Sequence, residues 1–153
     1  MPETNAAPEL NGLYFQLFNE IGIINQLSRA AFEARLPDGM VLPQFAVINH
    51  LIRVQDGRTP LQLARAFQVP KTSMTHTLAG LEKRGFVEMR ANPDDARSKQ
   101  VWLTEAGRTF RQTAIASLAP DVAAFSDVLD RDELVEVIAT LARLRKRMDA
   151  ARD

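Results

Sequence analysis

Thr59-Pro60-Leu61-Gln62-Leu63-Ala64-Arg65-Ala66-Phe67-Gln68-Val69-Pro70-Lys71-Thr72-Ser73-Met74-Thr75-His76-Thr77-Leu78-Ala79-Gly80-Leu81 holds two short helical patterns with a tight junction near Gln68-Val69. Leu63, Ala64, Phe67, Val69, Met74, Leu78 and Leu81 supply a small shared core for the pair. A helix-turn-helix needs such a core, because the packed first helix must hold the second at a fixed angle to a groove. At about 100° per residue, Met74, Leu78 and Leu81 fall on one side of the second helix, with Thr72, His76, Ala79 and Lys83 opposite.

The exposed side is narrow, polar and uncrowded, which suits a helix in the major groove of duplex DNA. There Lys reaches guanine, Ser, Thr and His bond base edges, and a methyl group touches thymine. Lys71, Thr72 and Ser73 stand at the N-terminal end, the end that enters the groove in such units. The candidate DNA-binding residues of this part are Thr59, Gln62, Lys71, Thr72, Ser73, Thr75, His76 and Lys83.

After Gly85 the apolar period shifts from helical to alternating. Phe86-Val87-Glu88-Met89-Arg90 and Lys99-Gln100-Val101-Trp102-Leu103 read as two strands around the polar tip Asn92-Pro93-Asp94-Asp95-Ala96-Arg97-Ser98. A hairpin directly behind a helix-turn-helix is a wing, and a wing brings Arg to the minor groove, whose negative potential attracts it. Arg97 at the tip, Asp95 two residues before it and Lys99 on the returning strand complete the candidate interface. Asp94-Asp95 beside Arg97 reads as a turn with an internal ion pair rather than a metal site.

Outward from this centre the pattern is helical. Leu10, Leu13, Leu17, Ile21, Ile24 and Leu27 recur at steps of three and four in a long amphipathic helix over residues 10–36, ended by Pro37-Asp38-Gly39. A second helix runs from Pro43 to about Val54 with Phe45, Ile48, Leu51 and Ile52 on its buried side, and Gln55-Asp56-Gly57 is the turn after it. Thr104 caps a helical stretch that reaches about Leu129 and is kinked or split at Pro120. Asp130-Arg131-Asp132-Glu133 opens the last helix as an acidic variant of the capping box, and Leu134, Val137, Ile138, Leu141, Leu144 and Met148 line one of its faces. The fold class is therefore mainly α with a small two-stranded β wing, in one domain over residues 1–153.

With 153 residues, 46% apolar and 25% charged, the chain has enough apolar material for a packed core. No run approaches a membrane span and Met1-Pro2-Glu3-Thr4-Asn5 lacks the start of a signal peptide, so a cytoplasmic protein without membrane contact is expected. Cysteine is absent, which excludes disulfides, thiolate zinc sites and thiol redox sensing. The formal net charge is zero, yet basic and acidic residues number three and six in residues 1–57, ten and five in 58–111, and six and eight in 112–153. A basic centre between acidic ends fits a chain whose middle meets phosphate.

No nucleophile with a base, paired-carboxylate site, metal cluster or phosphate-cradling glycine loop can be assembled, and His50 and His76 are the only histidines. An enzyme is not expected, nor a metal or cofactor. The competing reading is a winged-helix module that binds protein without DNA, since the fold hosts more than one function.

Leu63-Ala64, Leu81-Glu82-Lys83-Arg84-Gly85-Phe86-Val87, Asn92-Pro93-Asp94-Asp95-Ala96-Arg97-Ser98-Lys99 and Leu103-Thr104-Glu105-Ala106-Gly107 together resemble the MarR family of transcriptional regulators, in order and at matching spacing over about residues 59–108. The resemblance implies a winged helix-turn-helix lobe over 43–104, dimerisation helices over 10–36 and 105–150, a homodimer on a palindromic operator, a repressor's role, and release by a small aromatic or amphipathic ligand. It gives Asp95 and Arg97 the family's Asp-x-Arg wing motif, in which the carboxylate braces the Arg. Pro70 stands where many members have a capping Ser, and Ala96 where many carry a second wing Arg, which predicts a weaker wing contact. For the ligand, Phe15, Phe18, Asn19, Phe45 and His50 are the candidates, expected where the dimer helices meet the DNA-binding lobe.

Overall fold

The computed structural model describes residues 6–37 and 39–152, so Asp38 of the expected Pro37-Asp38-Gly39 stop lies outside the described residues. The chain forms two compact units, residues 1–116 and 117–153.

The first unit opens with α1 (Ala6–Glu33), which stops three residues short of the expected Leu36. Residue 36 precedes Pro37, whose ring disfavours helical backbone before it. The last turns accordingly tighten, with Arg35 N–H on Phe32 O at 3.0 Å and Leu36 N–H on Glu33 O at 3.1 Å. In α2 (Leu42–Arg53) Pro43 sits in the first turn, where its missing N–H costs nothing. Val47, Ile48 and Leu51 are its buried residues, while Phe45 and Ile52 lie half-buried against the core.

Thr59 caps α3 (Pro60–Phe67), and Gln68 leaves it in a left-handed turn with φ 54°. That turn carries the chain away from the packed side, so Val69, expected in the core, is exposed instead. Next comes α4 (Lys71–Lys83), with Met74, Leu78 and Leu81 buried as their spacing requires. Gly85, at φ 74°, ends it. Its N–H bonds Glu82 O at 2.9 Å and the Phe86 N–H reaches back to Leu81 O at 3.0 Å, the two bonds of a Schellman motif. Because Phe86 is spent on that exit, the first strand begins one residue later than its alternation suggested.

Strands β1 (Val87–Ala91) and β2 (Lys99–Leu103) pair antiparallel, from Val87 opposite Leu103 to Ala91 opposite Lys99. Val87, Val101 and Leu103 turn inward, and a single bridge from Arg58 to Val101 adds a minimal third strand. Helix α5 (Glu105–Ala116) follows at once, capped by Thr104, whose Oγ1 accepts the Gly107 N–H at 3.1 Å and donates to Gly85 O at 2.6 Å. One threonine thus ties the end of the wing to the end of α4. Gly107 has no alternative there, since a Cβ would collide with the Phe86 carbonyl oxygen. The core of this unit joins Val47, Ile48 and Leu51 of α2 to Leu63, Met74, Leu78, Leu81, Val87, Val101 and Leu103.

The second unit holds α6 (Ala119–Phe125), with Pro120 in its first turn, and α7 (Arg131–Ala150). The helical stretch over 105–129 is therefore split between α5 and α6. Asp130 caps α7 by accepting the Asp132 and Glu133 amides, and Glu133 reaches back to the Asp130 N–H. No residue of α7 is buried. Among the described residues no helix is long and apolar enough to cross a membrane.

Candidate nucleic-acid interface

Burial of Met74, Leu78 and Leu81 turns the opposite face of α4 outward, so Lys71, Thr72, Ser73, Thr75, His76, Ala79 and Lys83 are all exposed. Pro70 gives α4 no side-chain cap. Its first turn consequently presents backbone N–H groups beside the Lys71, Thr72 and Ser73 side chains. Thr75 Oγ1 donates to Lys71 O at 2.9 Å, which leaves this hydroxyl only as an acceptor. The Thr59 and Gln62 side chains face each other's backbone: Thr59 Oγ1 accepts the Gln62 N–H at 3.2 Å, and Gln62 Oε1 accepts the Thr59 N–H at 2.9 Å. They are first of all the capping box of α3, with the Gln62 amide nitrogen left over for another partner.

The wing tip is fixed from within. Asn92 Oδ1 accepts the Asp94 N–H at 3.0 Å and Asn92 Nδ2 donates to Ser98 Oγ at 2.8 Å, while the Ser98 N–H closes on Asp95 O at 3.1 Å. Asp95 Oδ1 accepts the backbone N–H of Arg97 at 2.9 Å. The expected ion pair between the two side chains is not formed among the described residues. In its place the carboxylate holds the backbone of Arg97, because a turn of two residues brings the amide within reach and directs the long guanidinium outward. Arg97 is exposed, as is Lys99 at the foot of β2.

Arg90 is not among the candidates named from the sequence. Alternation places Glu88, Arg90, Gln100 and Trp102 on the outer face of the wing, where Arg90 Nε donates to Glu88 Oε1 at 2.6 Å and its guanidinium lies 5.0 Å from the centre of the Trp102 ring. The period-two pattern was the available signal.

The five ligand candidates do not converge within one chain. Phe15, Phe18 and Asn19 are exposed on α1, Phe15 at 73%. Phe45 instead meets Phe32, fourteen residues beyond Phe18, with ring centres 4.6 Å apart. That separation is roughly 21 Å along the helix. Phe45 also approaches Phe110 of α5, and Phe110 stacks on Phe86 at 4.6 Å. His50 faces Phe67 of α3 at 5.2 Å. Burial, followed by the guanidinium groups of Arg53 and Arg58, holds its imidazole below the ordinary 6.5. His50 Nε2 and Arg58 Nε are buried without a hydrogen-bond partner among the described residues.

Comparison with known proteins follows the same outline. A family model described as the MarR family matches residues 38–98. The transcriptional regulator HosA of Escherichia coli O111:H- is 32% identical over 98 residues, 64% of this chain and 71% of that protein. The transcriptional activatory protein BadR of Rhodopseudomonas palustris is 28% identical over 142 residues, 91% of this chain and 78% of that protein. Among solved structures, wild-type apo MarR from E. coli superposes with a TM-score of 0.68 at 25% identity, covering 84% of this chain and 96% of that one. A mutant of the same protein complexed with operator DNA gives 0.64 at 24% identity, covering 84% and 93%.

Proposed function

The chain belongs to the MarR family of winged helix-turn-helix transcription regulators, and from that premise we propose that it binds double-stranded DNA as a homodimer on a palindromic operator. Helix α4 lies in the major groove and Arg97 reaches the adjacent minor groove. The observation that carries this reading is that a polar, exposed helix face and a cation with no ion-pair partner among the described residues, on a tip fixed by its own hydrogen bonds, belong to one packed lobe. Both are presented without prior reorganisation, as groove binding requires. A relative of the same fold that is complexed with operator DNA supports it.

Dimerisation is argued from exposed apolar surface. Leu10, Leu13, Phe15, Ile24 and Leu27 on α1, and Leu134, Val137, Ile138, Leu141 and Met148 on α7, are all more than a third exposed. Full burial of a side chain of this size contributes about 1.5–3 kcal/mol, so covering these partly exposed ones contributes a fraction of that each. A second copy of the chain is the partner that covers such faces by symmetry. A small aromatic or amphipathic ligand, bound through Phe15, Phe18 or Asn19 of one chain together with residues of the other, releases the operator. The regulator works in the cytoplasm, represses, and uses no cofactor or metal.

Selection of bound fragments from the source genome tests the reading. Recovery of one palindromic sequence, with half-sites about 34 Å or a multiple apart, supports it. Fragments without any common sequence overturn it. The sign of regulation is read by transcription from the recovered promoter, where an increase on adding the protein would exchange repression for activation.

A further inference from the structure

The α2–α3 loop places a carboxylate at the base of the wing. Between α2 and α3 the backbone meets the sheet at Arg58 and Gly57: the Val101 N–H bonds Arg58 O at 2.8 Å and the Gly57 N–H bonds Val101 O at 3.0 Å. The next outward amide of β2, that of Leu103, faces no backbone acceptor among the described residues, because the minimal strand has already turned away into α2. Asp56 takes that place. Its Oδ1 accepts the Leu103 N–H at 3.0 Å and the Gly57 N–H at 3.1 Å, and its Oδ2 accepts from Arg108 Nη2 at 2.7 Å. One side chain therefore extends a backbone ladder and fastens it to α5. The Asp56 side chain is only 19% exposed, so these bonds operate where water competes poorly.

We propose that Asp56 is a positioning residue for DNA binding, setting the height and tilt of the wing over the minor groove by joining the end of β2 to the α2–α3 loop and to Arg108. The inference rests on the DNA-binding reading above. Asp56 lies at the foot of the hairpin and Arg97 at its tip, so a small rotation at the foot is magnified where the guanidinium meets the groove. Helix α4 is held chiefly through its own buried face, by Met74, Leu78 and Leu81. Loss of Asp56 therefore affects contacts made by the wing and spares those made by α4.

A pair of double-mutant cycles on operator DNA separates these contributions, using full-length protein with fold and association state checked for each variant. Asp56→Ala weakens binding about five- to tenfold in the otherwise native protein, and by less than about twofold once Arg97→Ala is present. Combined with His76→Ala on α4, it keeps its full effect. General loosening of the lobe would reduce both contacts alike, so non-additivity with Arg97 alone is a signature that a merely structural role does not produce. Asp56→Asn guards against a folding failure, since its amide oxygen still accepts from Leu103 and Gly57 while the ion pair with Arg108 is lost. It falls between native and Ala in affinity, and the Leu103 amide stays slow in hydrogen exchange, whereas in Asp56→Ala it becomes fast. Equal coupling to Arg97 and His76, additivity with both, or native affinity in Asp56→Ala overturns the proposal. If the native protein binds no duplex at all, the functional reading has failed instead.

Discussion

Thr72 and His76 stand on the exposed side of α4 with no hydrogen-bond partner inside the lobe among the described residues, whereas the Thr75 and Thr77 hydroxyls are turned back onto Lys71 O and Ser73 O. On the proposed DNA-binding reading, the first two are therefore the better candidates for reading bases. Thr72→Ala or His76→Ala is expected to change which operator variants bind best, at about 1–3 kcal/mol for the affected base pair. The measurement is affinity ranking across an operator library, and an unchanged ranking would contradict this placement of α4. His50 makes a different claim, about acid stability. The unfolded chain takes up its proton around 6.5, but the folded chain does so only at lower pH because burial and the charges of Arg53 and Arg58 oppose it. The unfolded state thus binds more protons below 6.5, and stability, full above that pH, falls as pH drops through the window beneath it. Denaturant titrations between pH 7.5 and 5.5 should lose less stability in His50→Gln than in the native protein, and parallel losses would remove His50 from the explanation.

At the scale of elements the wing is the informative case. Its register and its inward side follow from alternation, and the tip follows from turn-forming Asn, Pro, Asp and Ser residues, so the hairpin could be read from the sequence. What could not be read was the partner of Asp95. An Asp two residues before an Arg suggests an ion pair by charge alone, while the geometry of the turn favours the nearer backbone amide. The consequence is testable: Asp95→Asn, which keeps an oxygen acceptor, should bind operator nearly as well as the native protein. Asp95→Ala frees the turn and should weaken binding by an amount typical of one lost hydrogen bond, about 0.5–1.5 kcal/mol. Equilibrium binding of both variants decides, and an Asn variant as weak as the Ala variant would restore the ion pair. Similar limits applied elsewhere. The buried sides of α2 and α4 were legible from their 3.6-residue period, but Val69 was not, because the left-handed Gln68 has no marker in a residue type that rarely adopts it. Asp56 was read only as part of a turn, since bonds across 47 and 52 residues leave no local pattern.

For the molecule as a whole, the sequence marked the apolar faces of α1 and α7 without revealing what covers them. A chain of 17.1 kDa with this much exposed leucine, isoleucine and phenylalanine is expected to sediment at twice that mass at micromolar concentration. A single species at the monomer mass in equilibrium ultracentrifugation would remove the dimer. The zero net charge is likewise a property of the total, and conceals the basic centre that the functional account depends on. The most direct test of that account is the affinity for duplex DNA measured across a series of salt concentrations, for the native protein and for Arg97→Ala. Each cation that displaces condensed counterions adds to the slope of log K against log salt, so the native protein should bind tightly at low salt with a steep negative slope, and Arg97→Ala should be weaker on every duplex and flatter by about one unit per wing contact removed. No binding at low salt, or a slope that the loss of Arg97 leaves unchanged, would contradict a winged helix that works by gripping DNA.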